Sequence, residues 1–223
     1  MNERRIGAYG GTFDPVHNGH VEIARAVACN FKLDELLIIP AHRPPHKTEH
    51  VISDAYHRYA MAVLATIDEP RIRVSTIELD APDKPYSFQT VERLREIYGA
   101  RARLYFVMGA DSFEEISTWR EPQRLIASAN IVVVTRPGSE IKTSHVPVQF
   151  RSSISDLRGQ AKSERMPSDE EDAGAYKIYL TDYVNLDVSS TEIRRMARDG
   201  ENIRGLVPPR VADYVEKYEL YRR

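Results

Sequence analysis

The sequence predicts a doubly wound α/β fold: one parallel sheet with helices packed on both of its faces. Two observations carry that expectation. Along the 223 residues, short apolar runs alternate with amphipathic stretches, the pattern of parallel strands joined by crossover helices. Several of those runs, including Leu36-Leu37-Ile38-Ile39, Leu104-Tyr105-Phe106-Val107 and Ile131-Val132-Val133-Val134, are apolar throughout rather than alternating. That is the signature of strands covered on both sides.

Taken in order, Ile6 to Tyr9 reads as a first strand, followed by a glycine-rich turn and a helix over Gly19 to Asn30. Leu36 to Ile39 is a second strand, closed by Pro40. Ser53 to Ile67 carries apolar residues at helical spacing, with Ser53 as the expected N-cap. Ile72 to Leu79 alternates as a strand does. Ser87 to Tyr98 is helical, and Gly99 supplies the stop. Leu104 to Val107 and Ile131 to Val134 are strands, the second preceded by a short helix over Gln123 to Ala127. Tyr176 to Leu180 is a further strand, and helices over Ser190 to Arg198 and Pro209 to Tyr218 follow. The stretch from Arg151 to Ala175 departs from this pattern. Rich in Ser, Asp, Glu, Arg and Gly, it has too little apolar surface to offset its ordering entropy, and it reads as a mobile surface insertion in a single domain.

Composition narrows the function classes. Hydrophobic residues make up 42% of the chain and charged residues 29%, with a formal net charge of −2. This is an ordinary globular balance without the basic footprint of a general nucleic-acid binder. No apolar run reaches the ~18 residues of a membrane span, and no signal-type block follows the N-terminus. Cys29, the sole cysteine, forms no internal disulfide and fits a reducing, cytoplasmic setting. It sits in an apolar helical pattern and reads as a buried packing residue. A homo-oligomer is left open.

The strongest chemical signal is Gly10-Gly11-Thr12-Phe13-Asp14-Pro15-Val16-His17-Asn18-Gly19-His20, placed between the first strand and the first long helix. A helix N-terminus offers N–H groups and a positive dipole end to an anion, and adjacent glycines let the backbone come close to a phosphate. His17 and His20 flank Gly19 and are placed to converge on one phosphate. The glycines do not follow the dinucleotide-binding spacing, and no P-loop lysine is present. A second signal is Val188-Ser189-Ser190-Thr191-Glu192-Ile193-Arg194. Ser189 and Glu192 read as a capping box, while Ser190, Thr191 and Arg194 supply hydroxyls and a forked cation suited to a triphosphate.

Together these stretches resemble the HxGH nucleotidylyltransferase superfamily, whose fold is Rossmann-like. The chain between them is similar to the bacterial nicotinate mononucleotide adenylyltransferases: Pro44-Pro45-His46-Lys47, Glu78-Leu79, Pro85-Tyr86-Ser87 with Thr90, Phe106 to Asp111, Trp119, and Thr135-Arg136-Pro137-Gly138 come in that order. The resemblance implies transfer of AMP from ATP to nicotinate mononucleotide, with Mg²⁺ arriving on the ATP. It implies that His17 and His20 act on the phosphates. It further implies that Gly10, Gly11, Thr12, Phe13, Gly109, Asp111, Ser190, Thr191 and Arg194 bind ATP, and that Lys47, Ser87, Thr90 and Trp119 face the mononucleotide. Two features depart from that pattern: the length of the 151–175 segment, and Arg120-Glu121-Pro122 after Trp119 where many members carry an aromatic.

Other signals take the plainer reading. His42, His46 and His50 recur every four residues, but Pro44 and Pro45 forbid the helix that a zinc site at that spacing needs. No protein metal site is expected. Trp119 is the exception: by type alone a core is its commoner fate, but its position favours a stacking role. The acidic run Asp169 to Asp172 reads as solvated charge. Phosphopantetheine adenylyltransferases are a neighbouring alternative, though typically shorter and without the Trp119 and Pro44-to-Lys47 elements. A catalytically silent module would not need both histidines, and a tRNA-synthetase fragment lacks its anticodon-binding extension here.

Overall fold

A computed structural model describes residues 3–42, 52–81, 83, 85–135, 140–160 and 175–222. Among these, seven strands form one parallel sheet. They are β1 Arg5–Gly11, β2 Glu35–Pro40, β3 Ile72–Val74, β4 Arg103–Gly109, β5 Asn130–Val134, β6 Ile154–Asp156 and β7 Ile178–Thr181, arranged in the order β3-β2-β1-β4-β5-β7-β6. Every pairing is parallel. The helices are α1 Asn18–Asn30, α2 Ala55–Thr66, α3 Ser87–Tyr98, α4 Ala110–Glu114, α5 Pro122–Ile126, α6 Val148–Arg151, α7 Ser190–Arg198 and α8 Pro209–Lys217, with a 3₁₀ turn over Ile116–Thr118.

Alternate strand residues feed two cores, as the strand period of two requires. On one face Tyr9, Leu36, Ile38, Tyr105 and Val107 pack with Val21, Ala24 and Val27 of α1, Met61 of α2, and Ile193 and Val211 of α7 and α8. On the other, Ile6, Ala8, Leu37, Phe106 and Val133 pack with Val91 and Leu94 of α3 and with Phe113, Ile116 and Leu125. The expected doubly wound sheet is therefore present, and the apolar runs are central strands. Among the described residues no helix is long and apolar enough to cross a membrane.

Four local expectations are corrected. Cys29 is exposed rather than buried: the buried stripe of α1 runs through Val21, Ala24, Val27 and Ala28, and the next residue turns out to water. Asp54, not Ser53, caps α2, its carboxylate accepting the N–H of Tyr56 at 2.8 Å. The strand expected over Ile72 to Leu79 ends at Val74. The surface insertion does not begin at Arg151. Residues Ile154–Asp156 form the β6 edge strand beside β7, and Leu157 is buried in the first core. Two well-placed apolar residues are enough to dock a short edge strand whose neighbours are polar. The acidic run 169–172 lies outside the described residues.

Candidate active site

Crossovers leave β1 in one direction and β4 in the other, so the crevice between these neighbours is the switch point where open α/β sheets bind ligands. Tyr9 pairs with Val107, which sets Gly10 and Gly11 beside the end of β4, where Gly109 and Asp111 are exposed. Gly11 is required here, because a Cβ would meet the Phe13 ring at 2.9 Å.

The two histidines cap α1 reciprocally. His17 is the N-cap residue, its Nδ1 accepting the His20 N–H at 3.4 Å, while His20 Nδ1 accepts the His17 N–H at 3.2 Å. Their rings stack with centroids 3.6 Å apart and an interplanar angle of 21°. With each Nδ1 acting as acceptor, the neutral rings carry their protons on Nε2. Burial pushes the His17 pKa down to about 4, so this ring is a neutral donor near pH 7. The helix end is less open than the sequence suggests: the Asn18 N–H is taken by Leu206 O at 2.9 Å, and the His20 N–H by His17. The imidazoles are thus the foremost donors for an anion.

The loop before them is held in a conformation that its own sequence disfavours. Phe13 has φ of +51°, a left-handed geometry that costs a non-glycine residue roughly 1–2 kcal/mol. Its ring meets His20 edge-on at 5.0 Å and Tyr9 at 5.4 Å. On the N-terminal side of Phe13, Arg58 Nη1 donates to Thr12 O at 2.8 Å. On the other side, the buried Asp14 carboxylate accepts from Tyr221 Oη at 2.7 Å and from the Ser53 N–H at 3.1 Å.

The second motif meets this loop. Ser190 Oγ donates to Pro15 O at 2.9 Å, and Arg194 Nη1 to Asp14 O at 2.7 Å. Arg194 Nη2 donates to Thr191 Oγ1 at 3.2 Å. The expected capping box is half formed. Ser189 Oγ accepts the Glu192 N–H at 3.2 Å, but the Glu192 carboxylate is drawn outward to Arg195 at 2.7 and 3.1 Å. Gly10, Gly11, Thr12, Phe13, His17, His20, Ser190, Thr191 and Arg194 are therefore gathered at the β1 side of the crevice.

On the other side, Ser87 opens α3 behind an exposed Tyr86. Trp119 follows the 3₁₀ turn, half-buried, with its ring edge-on to Phe106 at 6.4 Å. Thr90 is buried and its hydroxyl is committed, donating to Glu78 Oε1 at 2.8 Å. Burial pushes the Glu78 pKa up to about 7, against the Thr90 bond and Arg93, which lower it. Lys47, His46, His50 and residues 136–138 lie outside the described residues. Sequence reasoning missed Asp14, Arg58, Tyr221 and Glu78 as site residues. A signal for Arg58 existed: it shares the buried stripe of α2 with Met61 and Ala62, and a charge on an apolar stripe demands partners.

Fold, switch-point loop and paired histidines define a nucleotidylyltransferase, and a family profile described as Cytidylyltransferase-like matches residues 8–196. A protein of Thermoanaerobacter sp. (strain X514) named "Probable nicotinate-nucleotide adenylyltransferase" is 38% identical over 221 residues, covering 99% of this chain and 96% of its own. One of the same name from Thermus thermophilus is 35% identical, with coverage of 98% and 100%. The chain belongs to the nicotinate-nucleotide adenylyltransferase family. The Plasmodium falciparum nicotinic acid mononucleotide adenylyltransferase, solved with NaAD, shares the fold: TM-score 0.70, 18% identity, 98% of both chains covered.

Proposed function

We propose that this chain transfers AMP from ATP to nicotinate mononucleotide, giving nicotinate adenine dinucleotide and pyrophosphate, a step of NAD biosynthesis. The observation that carries the reading is the stacked His17–His20 pair at the switch point, in a chain that its relatives match from end to end. An oxygen of the mononucleotide 5′-phosphate attacks the α-phosphorus of ATP. The new P–O bond forms as the bond to the bridging oxygen breaks, and that oxygen leaves with pyrophosphate. No covalent enzyme intermediate is needed, so catalysis is positioning plus stabilisation of charge on the phosphoryl oxygens.

His17 and His20 supply two Nε2–H donors to those oxygens. Gly10, Gly11, Thr12 and Phe13 line the meeting point, and Gly109 and Asp111 border the adenosine. Ser190, Thr191 and Arg194 serve the triphosphate from a position in which they also brace the loop. Mg²⁺ enters as part of the Mg-ATP substrate, held by phosphate oxygens and water. Asp14 is not offered as a ligand to it, because its carboxylate is committed to Tyr221 and Ser53. Lys47, Ser87 and Trp119 serve the mononucleotide, with Thr90 behind them. Backbone N–H groups at the start of α3 suit the nicotinate carboxylate but not the NH₂ of the amide. A reducing cytoplasm suits the lone, exposed Cys29. We also retain a single domain, with a polar insertion that begins only beyond the β6 strand and Leu157.

The test is pyrophosphate release by pure protein given Mg-ATP and, in turn, nicotinate mononucleotide, nicotinamide mononucleotide and phosphopantetheine. The expected outcome is a higher kcat/KM for the nicotinate form than for either alternative. Equal use of acid and amide overturns the substrate assignment.

A further inference from the structure

Phe13 sits at the centre of the catalytic loop in a backbone geometry that persists only where its surroundings over-determine it. Its two neighbours are gripped from outside the loop. Arg58, 1% exposed, donates from all three guanidinium nitrogens to carbonyls: Thr12 O at 2.8 Å, Ser53 O at 3.1 Å, Ala41 O at 2.6 Å and His42 O at 3.2 Å. These lie after β1, after β2 and before α2, so one side chain ties three separate stretches of backbone together. Asp14, 2% exposed, is fixed from the C-terminal segment by Tyr221 at 2.7 Å. Burial, then the Asp14 carboxylate, raises the Tyr221 pKa far above the ordinary phenol range, which keeps its hydroxyl a donor. Neither residue lies in the motifs that carry the chemistry. Arg58 and Tyr221 act on the two residues that flank Phe13, whose ring meets His20 edge-on while His17 stacks on the His20 face.

We propose that Arg58 and Tyr221 are positioning residues for adenylyl transfer: they hold Phe13 left-handed, and the Phe13 ring in turn sets the orientation of His20. Without them Asp14 keeps only its bonds from Ser53 and Arg194, Thr12 loses its brace, and the Thr12–Asp14 backbone relaxes toward negative φ. The ring then leaves its edge-on contact, and the Nε2–H of His20 loses its aim while the fold stands. This rests on the adenylyltransferase reading for its kinetic consequence but not for its structural one.

The experiment uses the whole chain with Tyr221→Phe, which removes only a hydroxyl, and Arg58→Lys, which keeps the charge but not the fork. Three quantities are read: melting temperature, the kcat and KM pair with Mg-ATP and nicotinate mononucleotide, and the imidazole NMR signals of His20. Those signals carry the ring current of Phe13. For Tyr221→Phe the expected result is a kcat lower by about fivefold or more, the weight of one hydrogen bond. Both KM values should stay close to wild type, the melting temperature should fall by no more than a few degrees, and the His20 signals should move. Arg58→Lys should move the same signals further. Should Tyr221→Phe fold poorly, Arg58→Lys alone decides by the same criteria. An unmoved His20 signal overturns the proposal, whatever kcat does. A moved signal with unchanged kcat overturns it equally. If the wild type itself does not use nicotinate mononucleotide, the function reading fails, and the His20 signals still decide whether the loop is held in this way.

Discussion

The two sides of the crevice are built by different means. On the phosphate side, the stretch from Thr12 to Asn18 is bonded from outside by Arg58, Ser53, Ser190, Arg194, Leu206 and Tyr221. On the mononucleotide side, Trp119 leans on Phe106, Tyr86 stacks parallel to Phe88 at 6.2 Å while half exposed, and the start of α3 faces outward. The phosphate side is over-determined by hydrogen bonds, and the ring side rests on packing. Charge stabilisation at a phosphorus tolerates little displacement, whereas a flat ring accepts modest shifts of the face it lies on. The difference separates a fixed reaction centre from an adjustable specificity pocket.

The largest expected effect tests the fixed side. His20→Ala removes one Nε2–H donor and the acceptor of the His17 N–H. The loss of a preorganised donor should lower kcat by roughly 10²–10³-fold, or about 3–4 kcal/mol. Circular dichroism should stay native, because the loop's other anchors remain. Turnover within a few-fold of wild type removes His20 from the mechanism.

A smaller effect is expected on the ring side. Trp119→Ala takes away the face against which an electron-poor pyridinium stacks, a contact of about 1–2 kcal/mol when desolvated. It is nearly blind to acid against amide. The kcat/KM for nicotinate and nicotinamide mononucleotide should therefore fall together, by roughly 5–30-fold, with their ratio kept. A collapsed ratio with unchanged acid turnover shows that Trp119 reads the carboxylate, which breaks the division drawn here between stacking and charge.

What the sequence made legible follows the same divide. Strand and helix periodicity exposed the sheet, and the glycine and histidine spacing exposed the phosphate loop, because each is a local pattern. The braces are not local: Tyr221 meets Asp14 across 207 positions, and Arg194 meets Asp14 across 180. Nothing near Tyr221 in sequence marks it as part of a site. The reciprocal histidine cap was equally hidden, since His17 is not among the residues expected at an N-cap. Cys29 was misplaced because average hydrophobicity was read where the angle around the helix decides. The β6 strand was missed because Ile154 and Leu157 are diluted by polar neighbours, although one edge strand needs little more than those two.

The smallest expected effect concerns Thr90, where sequence and structure point different ways. By its place in the motif, Thr90 belongs with the groups that read the nicotinate ring. In the structure it is 1% exposed and donates to Glu78 Oε1 at 2.8 Å, so its hydroxyl has no clear line to a ligand. Its consequence should instead show in the titration of Glu78. Burial holds that carboxyl at about 7, while the Thr90 bond favours its ionised form. The folded pKa lies above the unfolded one. Whatever stability Glu78 contributes is therefore present at low pH and is lost as pH rises from the ordinary carboxylate range through about 7. Thr90→Val keeps the shape and removes the donor. A bond of about 1 kcal/mol corresponds to less than about one pH unit, and the Glu78 midpoint should rise by that much. At pH 6, where Glu78 is mostly protonated in both proteins, KM for nicotinate mononucleotide should change by less than about threefold. Carboxylate ¹³C shifts of Glu78 across pH 5 to 9, alongside KM at pH 6, make the measurement. An unmoved midpoint together with a selective rise in KM for the acid over the amide places Thr90 among the ring-reading donors and moves part of the specificity pocket onto the rigid, hydrogen-bonded framework.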